Sequence, residues 1–155
     1  MSKLAVVRIK GSADVSEEAE DTFRMLNLNR PNHCVVVEDN PSTRGMLQKL
    51  KEKATWGEVN SETLEKMIAK RGQLEGGEPV LDKDIQGSTS YDSIGEFAEA
   101  VCEGESDLDE MESLKGVFRL HPPRKGYGST RRSYHHGGSA GDREEAINDL
   151  ILRMI

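Results

Sequence analysis

The sequence predicts a small layered α/β unit, followed by an acidic helical stretch and a basic, glycine-rich tail that ends in a helix. Three observations lead there. Residues 1–59 read in the order strand, helix, strand, helix, strand. Charge is sorted along the chain. A run from Ser113 to Gly141 carries six Lys/Arg and no carboxylate, although the net charge of the 155-residue chain is −7. At 35% hydrophobic and 32% charged, the chain suits one domain with decorations, or two small ones, and a modest core.

Residues 3–11 are β-branched and apolar and end at Gly11, a strand pattern. Asp14 or Ser16 can cap a helix to about Asn27, with Ala19, Thr22, Phe23 and Leu26 on one face. Residues 33–39 form a second strand between the turn signals Pro31 and Asn40-Pro41. Ser42 or Thr43 then caps a second helix to about Lys53, turning Met46, Leu47 and Leu50 inward. Residues 54–59 make a weaker third strand. Asn60 or Ser61 opens a helix to about Arg71 carrying Leu64, Met67 and Ile68 on one side, and a loop follows at 72–79. Ser93 and Glu96 form a capping box for a helix with Ile94, Phe97, Ala98 and Val101 at i, i+3, i+4 and i+7. The segment 105–113 is a short helix or a loop. Residues 117–120 are a short strand stopped by Pro122 and Pro123. Asp142 and Glu145 make a last capping box, before an amphipathic helix with Ala146, Ile147, Leu150, Ile151 and Met154 on its apolar face.

Residues 1–73 are nearly balanced, with 12 Lys/Arg and 11 Asp/Glu; residues 74–112 hold one lysine against 13 acids; residues 113–155 hold 8 Lys/Arg and 4 acids. Such asymmetry points to a polyanion partner on one face. No apolar run reaches the roughly 18 residues of a membrane span, and the start lacks the apolar length and cleavage site of a secretory signal. Cys34 and Cys102 lack CxxC spacing and read as free thiols of a reducing cytosol.

The stretch from Arg119 to His136 combines Arg119, Arg124, Lys125, Arg131 and Arg132 with Tyr127, Tyr134 and several glycines. Cations neutralise phosphates, aromatic and guanidinium planes stack on unpaired bases, and glycines let backbone amides come close. With nothing apolar to pin them, residues 122–138 are expected to be mobile until they meet RNA. His121, His135 and His136 have no Cys or acid at ligand spacing, so stacking and phosphate hydrogen bonds suit them better than metal. Residues 137–144 resemble a phosphate loop but lack its Gly-Lys-Ser/Thr ending, and a helix cap is the better reading. The acids of 105–113 lack the glycine and positions of a calcium loop, which leaves a solvated acidic face. The second helix gathers Arg44, Lys49, Lys51 and Lys53 against one acid, Glu52. Arg44 in its first turn opposes the helix dipole and asks for a reason outside the helix, such as a phosphate. No pattern of catalytic residues emerges, so the chain reads as a binding protein rather than an enzyme, with no cofactor and no metal.

Residues 21–47 ("DTFRMLNLNRPNHCVVVEDNPSTRGML"), "FRLHPPRKGYG" and the closing "GGSAGDREEAINDLILRMI" together resemble the large-subunit ribosomal protein of the universal L-thirty type, in its long archaeal and eukaryotic form. The resemblance implies a ferredoxin-like α+β core, with a three-stranded antiparallel sheet and two helices on one face. A helical insertion and an extended tail ending in a helix would follow. It divides the chain into an rRNA-binding core at 1–59, an acidic helical extension at 60–115, and a basic strap with its closing helix at 116–155. It implies a cytoplasmic ribosomal constituent bound to large-subunit rRNA, near the small rRNA of that subunit, beside other ribosomal proteins, without membrane or DNA. Matched positions carry RNA contact to Arg30, Arg44 and Gly45 in the core and to Arg119, Arg124 and the 125–136 segment in the tail; Lys49 and His121 join them on charge and stacking. The acidity of 74–112 departs from the family's usual basic character and fits a solvent-facing insertion. The alternative is a free ferredoxin-like RNA-binding or RNA-chaperone module outside the ribosome.

Overall fold

Six α-helices and a six-stranded sheet make up the computed structural model, which describes residues 3–11, 13 and 15–155, without the side chains of Thr130 and Arg131. At its centre, β1 (Lys3–Arg8) is buried along its whole length. It pairs antiparallel with β2 (His33–Glu38) on one side and β3 (Ala54–Glu58) on the other. The alternation of side chains along β1 sends Leu4 and Val6 to one face and Ala5 and Val7 to the other.

On the first face lie α1 (Glu17–Met25) and α2 (Pro41–Gln48), which pack Ala19, Phe23 and Leu47 against Leu4, Val6, Val35 and Trp56. Ser16 caps α1 by accepting from the Ala19 amide; Asp14, the other expected cap, lies outside the described residues. Asn40, not Ser42 or Thr43, caps α2, because its Oδ1 accepts from the Thr43 amide and Pro41 is preset for the first helical position. The helix also stops at Gln48 instead of about Lys53. Residues 49–53 form a turn whose last carbonyl, that of Lys53, accepts the amides of Ile9 and Lys10.

The second face is covered too, by α3 (Ser61–Arg71), α5 (Ile94–Glu103) and α6 (Ala146–Met154), whose Leu64, Met67, Ile68, Phe97, Val101, Ile147, Leu150 and Ile151 bury Ala5, Val7 and Cys34. A short α4 (Asp82–Ser88) seals this cluster with Ile85.

The expected three-stranded sheet is corrected to six strands in the order β4-β2-β1-β3-β6-β5. The tail supplies both edges: β4 (Phe118–Arg119) runs antiparallel to β2, β6 (Gly138–Asp142) parallel to β3, and β5 (Ser129–Ser133) parallel to β6. Open edges would leave rows of unpaired amides and carbonyls, which these strands satisfy. The expected Asp142–Glu145 capping box is also absent. Asp142 sits in β6 beside Trp56, its Oδ2 taken by Arg44, and α6 begins at Ala146 with no side-chain cap.

Candidate RNA interface

The tail crosses the molecule. β4 and β5 lie on opposite edges of the sheet, so residues 120–128 must pass from one edge to the other along the end of the sheet marked by Arg8, His33 and Ala54. Two amides of the crossing bond to the C-terminal turn of α6: His121 to the Met154 carbonyl and Arg124 to that of Arg153. The Arg153 guanidinium returns bonds to the carbonyls of Arg124 and Gly126, at 3.0 and 3.1 Å. The expectation that nothing apolar pins this strap is corrected. Pro123 is buried, and Tyr127 packs against the core and donates its hydroxyl to Asn32 Oδ1. Burial pushes the Tyr127 phenol well above its ordinary value. Lys125, Gly126 and Gly128 all adopt positive φ to make the turn.

Around this end several exposed cations lack an acidic partner among the described residues. Arg30 and Arg119 flank His33, whose imidazole is held below its ordinary value first by burial and then by those two guanidinium groups. His121, Arg124 and Lys125 are exposed on the crossing, and Arg132 is exposed on β5. The Arg131 side chain lies outside the described residues. Lys10, Lys51 and Lys53 gather at the same end, beside β5. Among the described residues none of Arg30, Arg119, Lys10, Lys51, Lys53 and Arg132 has an ion-pair partner.

Other expected contacts sit elsewhere. Tyr134, 38% exposed, stacks edge-on with His135 and covers the Arg143 guanidinium at 5.0 Å. The pair shares a cleft of about 470 Å³ with Arg44 and the acids Glu58, Asp142, Glu144 and Glu145. His136 is exposed beside them. Arg44 finds its first-turn reason inside the fold. Its Nε and Nη2 grip both oxygens of Asp39 at 2.8 and 3.0 Å, and Nη1 reaches Asp142 at 2.9 Å. The Arg44 hydrogen bond holds the Asp39 carboxyl below the usual carboxylate range. A side chain at Gly45 would meet no protein atom, so that position is open to an approaching partner. Lys49 pairs with Glu18 at 3.3 Å.

Sequence reasoning passed over His33, Lys10 and the buried Arg143. Arg143 donates to Thr55 Oγ1 at 2.8 Å and to the Ser139 carbonyl at 2.6 Å, which fastens β6 to β3. The signal for Lys10 was available, since it is a cation just beyond a strand end, from which its long side chain can reach solvent. Cys34 is a buried thiol pushed up to about 12 by desolvation, and it is free, as is Cys102. Among the described residues no His, Cys, Asp or Glu group is placed to hold a metal, and no helix is long and apolar enough to cross a membrane.

Fold and charge together define a layered α+β protein with cations collected at one end of its sheet, several of them unpaired among the described residues, the form of a polyanion binder. The family model described as Ribosomal protein L30p/L7e matches residues 4–52. The chain is 51% identical over 149 residues to the Large ribosomal subunit protein uL30 of Methanopyrus kandleri, covering 95% of this chain and 100% of that one. It is 46% identical over 150 residues to the protein of the same name from Methanocella arvoryzae, covering 97% and 98%. The chain belongs to the L30p/L7e ribosomal protein family.

Proposed function

We propose that this chain is a structural constituent of the large ribosomal subunit in the cytoplasm, where it binds large-subunit rRNA and supports assembly and translation. The observation that carries this is likeness over nearly the whole chain to proteins named for that subunit. The charge geometry supports it, because a polyanion is the natural counterpart of the free cations at the Arg8 end. Arg30, Arg119, His121, Arg124, Lys125, Arg131 and Arg132 neutralise phosphates. Tyr134, His135 and His136 offer exposed rings for bases, while Tyr127 holds the strap in place. Arg44, Gly45 and Lys49 join the interface on the family resemblance, Arg44 as a group already shared with Asp39 and Asp142. The chain acts by binding, without catalysis.

The core at 1–59 and the strap at 116–155 face RNA, near the small rRNA of the subunit and beside other ribosomal proteins. Within the acidic extension at 60–115, the stretch 74–112 faces away. Of the 13 acids in 74–112, all but Asp84 are exposed, and carboxylates beside phosphates would cost binding energy. Co-sedimentation tests the reading. The tagged chain should travel with the large subunit through a high-salt wash. Release into the supernatant, with binding retained to isolated RNA, would favour a free RNA-binding module instead.

A further inference from the structure

A cleft of about 550 Å³ lies between the turn that precedes β3 and the strap, lined by Lys10, Lys51, Glu52, Lys53, Arg132, Ser133, Ala140 and Gly141. Its cations come from three separate segments: the end of β1, the turn at 49–53, and β5. The walls are fixed by backbone. The Ile9 and Lys10 amides bond to the Lys53 carbonyl at 2.9 and 3.2 Å, and Thr55 Oγ1 donates to the Gly141 carbonyl at 2.8 Å. A Cβ at Gly138 would lie 1.9 Å from the Arg132 carbonyl, so only glycine lets β5 lie this close. Four cations therefore converge with one carboxylate, Glu52, among the lining residues. Among the described residues none of the four is ion-paired, whereas nearby Lys49 is paired with Glu18. Like charges brought together repel one another, and an anion bound among them relieves the repulsion. Among the described residues no aromatic ring lines the cleft, so they offer nothing on which to stack a base.

We propose that this cleft clamps adjacent phosphates of one RNA strand, reading backbone and not base sequence. The proposal rests on the reading that the chain binds large-subunit RNA, and it adds Lys10, Lys51 and Lys53 to the contact set as a built phosphate site.

The test uses the full chain and deproteinised large-subunit rRNA, with binding measured at several salt concentrations. Each phosphate contact contributes about 0.7–0.9 to the slope of log affinity against log salt. The triple variant Lys10→Ala, Lys51→Ala, Lys53→Ala should flatten that slope by about two or more, cut affinity at least tenfold, and melt no lower than the wild type. A control pair on other surfaces, Arg24→Ala and Lys83→Ala, should change the slope by less than about one. In the wild type, bound rRNA should shield Lys10, Lys51 and Lys53 from acylation, a readout that needs no variant to fold. An unchanged slope in the triple variant, equal flattening by the control pair, or full acylation of the three lysines in the complex would each overturn the clamp. If the wild type itself fails to bind the rRNA, the ribosomal reading falls and the clamp with it.

Discussion

The two ends of the sheet hold their charge differently. At the end where Lys3 pairs with Glu38 in register, cations have acids for partners: Lys3 bonds Asp107, and Arg44 bonds Asp39 and Asp142. At the end marked by His33 and Ala54, Arg30, Arg119, Lys10, Lys51, Lys53 and Arg132 have none among the described residues. Arg8 belongs to the second end but is wholly buried, with its guanidinium 4.0 Å from the Phe23 ring and bonded to Leu28, Lys10 and Glu20. The difference teaches that net charge is a poor guide to partner. A chain at −7 keeps cations of two kinds, those spent on the fold and those left for an external anion.

The comparison breaks first at Arg8. Arg8→Ala takes a donor from Glu20 and from two carbonyls and should cost about 3–5 kcal/mol, read by urea unfolding. A loss under about 1 kcal/mol would mean that Arg8 does not belong with the cations spent on the fold. Arg44→Ala should cost less, about 1–2 kcal/mol at pH 7, because its side chain is 41% exposed and solvent screens the pairs. The sign with pH follows from Asp39. Its folded value is depressed, so its contribution is complete above the ordinary 3.8 and is lost as pH falls through the folded value. Wild type and variant should therefore converge in acid, and a gap that widens there would contradict the two-oxygen grip on Asp39. Tyr127→Phe sharpens the contrast by loosening the strap alone. Loss of its bond to Asn32 should cost about 1 kcal/mol and speed amide exchange at 121–128, with exchange in β1 unaltered.

Much of the fold was legible because local signals agreed with it. Ser16, Asn60 and Ser93 cap the helices they were expected to cap, and the apolar alternation of β1 marks a central strand. The tail strands were hidden by composition. β6 reads Gly-Ser-Ala-Gly-Asp, with no β-branched residue, and it forms because β3 offers an edge and Arg143 fastens it there. Gly57 was the overlooked clue. A glycine inside a strand often marks a close backbone approach, and here a Cβ would sit 1.9 Å from the Glu144 carbonyl. For the site, charge blocks pointed to the right segments. Pairing could not be read, since the acid that claims Arg44 in part, Asp142, lies 98 residues away.

The smallest effect concerns His33, at the border between fold and partner. It faces Arg119 across the β2–β4 pairing, with Arg30 close by, and burial and those cations hold its imidazole below 6.5 in the free protein. Protonation therefore opposes folding, and the free chain should lose a little stability as pH falls from 6.5 through the folded value. A phosphate bound between Arg30 and Arg119 acts in the opposite sense, because it cancels their field and favours the imidazolium. RNA binding should then raise the His33 titration midpoint and take up part of a proton. Affinity should strengthen by about twofold to fivefold between about pH 7.5 and pH 6, a part of the roughly tenfold that a midpoint raised by one whole pH unit gives over its full titration. His121, His135 and His136 also belong to the proposed interface, so the comparison is with His33→Gln, which should lose only the share of that dependence that His33 supplies. NMR of the ring carbons, free and bound to an rRNA fragment, measures the change in midpoint directly. A midpoint that falls on binding would mean that no phosphate lies between Arg30 and Arg119, and those two arginines would leave the proposed interface.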